Sequence, residues 1–240
     1  EDVGLEAHHY HWHVDFPFWW DSAAFGEKDR KGELFFYMHH QLNARFDAER
    51  LSNWMPRVSP LGWNEVLEEG FAPHATYLRE GEFPSRPDNM KFQDVPEISL
   101  AEMDRYTARI MDSIDRLVVA GMNGNTVSLN NTEGIDVLGS IIEASTSSPN
   151  PNYYGSIHNF CHILLSKITD PQGKYGLPPG VMGHFETSTR DPTFFRLHKF
   201  LDEIFRKYKN NLGSYKKEEI DFPGVEIKGI KVTSMNKKGG

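Results

Sequence analysis

Two pairs of histidines, each spaced four residues apart, restrict the fold of this chain more than any other feature. His9 and His13 form the first pair, and His158 and His162 form the second. Residues i and i+4 lie one turn apart on the same face of an α-helix, close enough for two imidazoles to share a metal ion. The spacing therefore predicts two helices whose histidine faces could meet inside a helical bundle.

Each pair has a candidate third partner on a later predicted helix. Either His39 or His40 could complete the first set, and His198 could complete the second. Four-helix bundles hold metals in this way, between side chains of facing helices. We therefore predict a mainly α fold: a four-helix bundle that holds a dinuclear site, with short β segments and the start of a C-terminal β domain.

The residue types around these histidines favour copper. Tyr10 and Asn159 stand where a zinc protease motif, H-E-x-x-H, would need glutamate. Neither bridging carboxylates nor Glu-x-x-His spacing, which di-iron bundles use, surrounds the histidines. Copper binds imidazole well and cycles between Cu(I) and Cu(II), and zinc on three histidines stays open for one site. Two adjacent copper ions could each give one electron to dioxygen and hold it as a bridging peroxide.

Capping residues and hydrophobic spacing give the remaining elements. Predicted helices lie near 5–15, from Asp29 to Leu51, from Ser99 to Ala120, near 133–145, near 152–167 and from Asp191 to Lys209. Short strands are predicted on both sides of Gly124, and 54–98 and 170–183 are predicted loops rich in proline or glycine. Val225, Ile227, Ile230 and Val232 form a strand-like stretch, so we divide the chain into a helical domain, 1–213, and the beginning of a β domain, 214–240.

Composition excludes several other classes of protein. The 240 residues carry a net charge of −8, which argues against nucleic acid or an anionic membrane as a partner. The one cysteine excludes an internal disulfide framework and a multi-cysteine metal site. No apolar run approaches the roughly 18 residues that a membrane span needs. The sequence begins without Met or a signal peptide, and we interpret it as a fragment.

Several segments resemble the copper motifs of arthropod hemocyanins, particularly those of crustaceans. Residues 8–20, 29–41 and 49–53 resemble the first copper motif, and residues 153–159 and 190–199 resemble the second. The likeness covers essentially the whole chain and the motifs are specific. It implies the central helical domain of a three-domain subunit, without the amino-terminal domain and most of the carboxy-terminal β-sandwich.

The resemblance also implies a ligand set, and it selects His39 over His40. Copper A would take His9, His13 and His39, and copper B would take His158, His162 and His198. Phe185 matches the aromatic residue that the family packs beside copper B. Trp12 is a candidate for an aromatic shell, and Glu186 for a base near the metals, although an ordinary loop carboxylate is the alternative for Glu186.

The function implied by the resemblance is reversible dioxygen transport by two copper ions per chain, in a subunit secreted into hemolymph and assembled into hexamers or multiples of hexamers. Two alternatives stay open: a phenoloxidase-type copper enzyme that oxidises catechol or tyrosine, and a copper-free storage protein. Histidine at all six ligand positions argues against the storage protein. Separately, Asn130-Asn131-Thr132 matches the N-glycosylation pattern.

Overall fold

Helices form most of the regular structure in the computed structural model, which describes residues 2–79 and 81–232. The α-helices in the described residues are α1 Val3–Asp15, α2 Ser22–Phe25, α3 Lys31–Ser52, α4 Leu100–Arg116, α5 Gly134–Glu143, α6 Pro151–Tyr154, α7 Ile157–Ser166, α8 Thr193–Lys209 and α9 Lys217–Ile220. The predicted mainly helical class is confirmed. None of these helices is long and apolar enough to cross a membrane.

Three short antiparallel strand pairs lie in the connections between the helices. β1 (Val66–Leu67) pairs with β4 (Met90–Lys91), and β2 (Thr76–Tyr77) pairs with β3 (Gly81–Glu82). The third pair, β5 (Val118–Ala120) with β6 (Thr126–Ser128), lies on both sides of Gly124, as the sequence predicts. The long connection 54–98 is thus held by local pairing, with one further bridge between Phe71 and Arg86.

The core lies between α3, α5, α7 and α8. Helix α3 packs against α5 and α8, and α7 packs against α5 and α8, while α1 lies against a single 3-10 turn, Ser188–Arg190. Apolar side chains such as Phe35, Leu138, Leu164 and Phe205 fill the space between them and are buried. The paired histidines and their predicted partners lie on helices α1, α3, α7 and α8.

The crossing of α3 and α5 depends on two glycines. A Cβ on Gly139 would lie 2.0 Å from the carbonyl oxygen of Gly32, and a Cβ on Gly32 would lie 2.1 Å from the carbonyl oxygen of Asp136. The backbones therefore approach more closely than any side chain at these positions allows. This contact sets the distance between α3, which carries His39, and the rest of the core.

The cap of α3 differs from the sequence prediction. Asp29 was the predicted cap, but the helix follows Arg30, whose backbone is left-handed (φ 54°). The carboxylate of Asp136, on α5, instead accepts from the backbone N–H groups of Gly32 at 2.7 Å and Glu33 at 3.2 Å. A residue 104 positions away thus satisfies the first donors of the helix, which no local pattern could indicate.

Two other helix boundaries also differ from the predictions. The helix that begins after the predicted cap Ser99 ends at Arg116 rather than Ala120, because Leu117 is left-handed (φ 51°) and the next residues pair as β5. The predicted helix 152–167 is broken at Gly155, where φ is 68°. Asp191 has the predicted capping role, since its Oδ1 accepts from the N–H of Thr193 at 2.9 Å.

The predicted strand at Val225–Val232 is not formed. The described residues 221–232 contain neither helix nor strand, and their apolar side chains are exposed because nothing in the described part of the chain packs on them. Residues 233–240 lie outside the described residues. The division into 1–213 and 214–240 stays a prediction.

Candidate metal centre

The first triad, His9, His13 and His39, joins α1 to α3. The Nε2 atoms of His9 and His13 lie 3.0 Å apart across one helical turn. The ring centroid of His39 lies 5.5 Å from that of His9 and 5.6 Å from that of His13. One ligand atom from each of the three lies within 4.8 Å of the others, close enough for one metal ion.

The second triad, His158, His162 and His198, joins α7 to α8. The Nε2 atoms of His158 and His198 are 3.3 Å apart. The ring of His162 lies 4.7 Å from that of His158 and 5.7 Å from that of His198, measured between centroids. The three rings of the second set are therefore neighbours, but the close group of ligand atoms around His158 and His198 includes His39 rather than His162.

His39 lies between the two triads. Its ring is stacked on that of His198, with centroids 4.3 Å apart and an interplanar angle of 2°. Its ligand atoms also lie within 4.8 Å of those of His158 and His198, a tighter group than the one that includes His162. The two candidate metal positions are thus adjacent. The neighbouring His40 faces elsewhere: its Nδ1 lies 2.6 Å from a carboxylate oxygen of Asp202.

Backbone carbonyls fix the orientation of four imidazoles. The Nδ1–H of each donates at 2.8 Å: His9 to Phe185, His39 to Phe35, His162 to Met182 and His198 to Phe194. Because a carbonyl oxygen only accepts, these four rings carry their proton on Nδ1 and a lone pair on Nε2. Metal-ligating histidines are commonly held in this way.

Burial keeps the imidazoles neutral. It lowers the pKa of His39 to about 3 and that of His162 to about 4. The pKa values of the remaining four, His9, His13, His158 and His198, are also lowered well below their ordinary value, first by burial and then by neighbouring imidazoles. Neutral imidazole is the form that binds a metal.

The donor set fits a pair of metal ions. The Nε2 of His39 is buried and has no hydrogen-bond partner among the described residues. Lone pairs on His9 and His198 point at a second imidazole nitrogen 3.0 to 3.3 Å away. In the metal-free protein the Nε2–H of the second imidazole, His13 or His158, can donate across these gaps, and a bound cation takes the place of that proton. All-imidazole coordination without a carboxylate suits copper.

An aromatic shell surrounds the triads. The ring of Trp12 lies 5.0 Å from that of His13 and 5.7 Å from that of His39, as the sequence predicts. Phe35 lies 4.5 Å from His39 and 4.9 Å from His158. Phe194 lies 4.0 Å from His198 and 4.9 Å from His9. Each of these phenylalanines precedes a ligand candidate by four residues and so shares its helix face.

The predicted position of Phe185 is corrected by the structure. Its ring packs at 5.6 Å from His13 and is stacked on Tyr10, so it lies beside the first triad rather than the second. Glu186 accepts a hydrogen bond from the hydroxyl of Tyr77 at 3.5 Å, an ordinary loop contact rather than one with an imidazole. Burial raises the pKa of the Cys161 thiol, which belongs to neither close group of ligand atoms.

Two adjacent groups of neutral imidazoles, held between four helices, form a candidate dinuclear metal centre. The family described as "Hemocyanin, copper containing domain" matches residues 1–205. The hemocyanin of Palinurus vulgaris is 49% identical over 233 residues, covering 97% of this chain and 36% of that protein. The hemocyanin C chain of Panulirus interruptus is 50% identical over 233 residues, covering 97% and 35% respectively. The chain belongs to the hemocyanin family.

Solved structures agree with this assignment. A scorpion hemocyanin in its activated state superposes with a TM-score of 0.89 at 46% identity, covering 95% of this chain and 37% of that one. A crustacean hemolymph-type prophenoloxidase superposes with a TM-score of 0.86 at 36% identity, covering 92% and 35%. The chain spans just over a third of the length of the curated relatives it matches.

Proposed function

We propose that this chain is the dioxygen-binding domain of a hemocyanin subunit and that it holds two copper ions. His9, His13 and His39 would bind copper A, and His158, His162 and His198 would bind copper B. The observation that carries the proposal is the convergence of buried, neutral imidazoles with their Nε2 lone pairs turned toward a common space. When bound, a copper pair supplies two electrons, one from each ion, for reversible binding of dioxygen.

The protein's part in this function is to keep the ligands in place and water out. The Nδ1–H bonds to backbone carbonyls hold the imidazole planes, so no ligand has to reorient when the oxidation state changes. Phe35, Phe194 and Trp12 make the surroundings apolar, which limits loss of charged oxygen species and of protons to solvent. Because all six ligands are neutral, they add no charge that would favour the cupric state strongly.

We extend the proposal to the partners, the assembly and the location of the whole protein. The partners are dioxygen and other hemocyanin subunits, arranged in hexamers or multiples of hexamers, and the protein is extracellular in hemolymph. The likeness of nearly the whole chain to crustacean and scorpion hemocyanins supports this placement. We assign 1–213 to the central helical domain and 214–240 to the beginning of a carboxy-terminal β-sandwich.

Copper analysis combined with absorption spectroscopy tests the proposal. We expect two copper ions per chain and a near-ultraviolet band that appears with dioxygen and disappears when dioxygen is removed. His9→Ala should abolish the band, while His11→Ala, an exposed position on the same helix, should keep it. A copper content near zero would refute the proposal and favour a storage protein.

A second candidate is a phenoloxidase. The superposition with a crustacean prophenoloxidase, at 36% identity, favours it as the alternative. Phe185, whose ring packs beside His13, is 43% exposed as a residue, so an aromatic substrate could approach the first triad from this side. Sustained oxidation of catechol by the copper-loaded protein would favour the enzyme, and a reversible band without turnover would favour the carrier.

A further inference from the structure

A single segment of the chain contacts both triads. Residues 181–187, here called the bridging segment, lie in the connection between α7 and α8. The carbonyl of Met182 accepts from the Nδ1–H of His162, in the second triad, at 2.8 Å. Three residues later, the carbonyl of Phe185 accepts from the Nδ1–H of His9, in the first triad, also at 2.8 Å.

The other oriented imidazoles are held differently. His39 donates to Phe35 and His198 donates to Phe194, in each case four residues earlier in the same helix. These two rings therefore move with their own helices. Among the described residues, His9 and His162 are the two candidate ligands whose Nδ1–H donates to a backbone carbonyl outside the ligand's own helix. Both carbonyls belong to the bridging segment.

Internal hydrogen bonds stiffen the bridging segment. The hydroxyl of Thr187 donates to the carbonyl of Val181 at 2.9 Å, which closes the segment on itself. The N–H groups of Thr187 and Ser188 both donate to the carbonyl of His184, at 3.1 and 2.9 Å. At its start, the N–H of Gly180 donates to Ser166, the last residue of α7, at 2.8 Å. The two carbonyls that hold His162 and His9 thus belong to one braced unit.

The outer face of the bridging segment rests on the hairpin β2–β3. The ring of Tyr77, in β2, is stacked on the ring of His184 with centroids 4.5 Å apart and an interplanar angle of 24°. The Tyr77 hydroxyl also reaches Glu186 at 3.5 Å. The next residue, Leu78, is fully exposed at the hairpin turn. Tyr77 therefore links a surface hairpin to the unit that orients one imidazole of each triad.

We propose that the bridging segment couples the two metal positions, with Tyr77 and Thr187 as positioning residues. The segment fixes where His9 lies relative to His162, so loosening it weakens metal binding at both triads together. The inference rests on the two-copper site proposed above. Partners that orient metal-ligating histidines are typically worth about 10- to 100-fold in metal affinity. Since removing a side chain that braces the carbonyls loosens them without deleting them, we expect a loss near the lower figure, about tenfold at each site.

The test compares Tyr77→Ala and Thr187→Val with Leu78→Ala in the intact protein. Cu(I) is titrated into the metal-free protein against a competing Cu(I) chelator, which gives the stoichiometry and the two stepwise affinities. We expect both affinities to fall about tenfold in Tyr77→Ala and Thr187→Val, and to be unchanged in Leu78→Ala. Tyr77→Phe keeps the stacked ring and should retain affinities close to those of the unmodified protein.

Thermal unfolding of the metal-free variants separates positioning from stability. If Tyr77→Ala unfolds at a lower temperature while both affinities are unchanged, the role is structural and the inference is overturned. A fall in only one of the two affinities also overturns it, because the coupling would be absent. Failure of the unmodified protein to bind two Cu(I) ions is a separate result, which refutes the proposed function instead.

Discussion

Replacing Gly139 with alanine should separate helices α3 and α5 and so disturb the helix that carries His39. The added Cβ would lie 2.0 Å from the carbonyl oxygen of Gly32 and 2.3 Å from its carbonyl carbon. Both are backbone atoms, so no side chain can rotate away to make room. Ordinary van der Waals contact begins near 3.4 Å, and the helices would therefore have to move apart by more than about 1 Å.

The energetic cost has two parts. Overpacking of a well-packed contact costs about 1–3 kcal/mol. The same movement lengthens the 2.7 Å hydrogen bond from the N–H of Gly32 to Asp136, and it strains the buried ion pair between Lys31 and Glu143. Loss of one buried hydrogen bond adds about 1 kcal/mol. We therefore expect Gly139→Ala to lower the free energy of unfolding by about 2–4 kcal/mol.

Urea unfolding of the metal-free protein measures this effect. Gly213→Ala is the matched control, because an added Cβ there meets no atom within 4 Å and the backbone is not left-handed. We expect the control to change the free energy of unfolding by less than about 0.5 kcal/mol. The same small change in Gly139→Ala would refute the argument that a backbone contact between α3 and α5 sets the position of His39.

Three further predictions concern other parts of the molecule. Asp136→Ala removes the carboxylate that caps α3 and should cost about 1–2 kcal/mol in urea unfolding, whereas Asp136→Asn, which keeps an acceptor, should cost less; equal losses would contradict the capping role. Burial lowers the pKa values of His39 and His162, so below about pH 6.5 the unfolded chain takes up protons that the folded protein excludes. The metal-free fold therefore keeps its full stability above about pH 6.5 and loses stability as the pH falls below it. The free energy of unfolding should therefore fall by about 2 kcal/mol for each of these imidazoles between pH 7 and pH 5. Equal stability at the two pH values would contradict the burial of these imidazoles. Asn130 is exposed in the turn after β6, so secretion from insect cells should give a chain carrying an N-glycan that Thr132→Ala abolishes and Thr132→Ser retains; an unmodified mass for the secreted parent chain would contradict this.

The sequence could predict features whose cause is local. Spacing of four residues placed His9 with His13 on one helix, and Ser99 and Asp191 were recognisable caps because the groups they bind are two or three residues away. The cap of α3 could not be predicted, since Asp136 acts from another helix. The strand predicted at 225–232 had the right composition, but strands need a partner, and the described residues provide none.

For the candidate site, the sequence could predict the histidines but not the groups that hold them. Side-chain identity and resemblance selected the six histidines, and the structure brings them together. The carbonyls of Met182 and Phe185 were not predictable, because every residue has a carbonyl and the sequence carries no mark of those that accept from an imidazole. The resemblance implies that Phe185 lies beside the second triad, but the structure places it beside the first. The sequence does not show this, because the position of Phe185 depends on how a loop crosses two helices.

The two triads are therefore each held by two different parts of the fold. His39 and His198 are fixed by their own helices, and the glycine contact between α3 and α5 sets the position of His39 within the core. His9 and His162 depend on the bridging segment, which reaches the surface through Tyr77. Displacement of the β2–β3 hairpin would therefore act on His9 and His162, whereas His39 and His198 are held by carbonyls of their own helices.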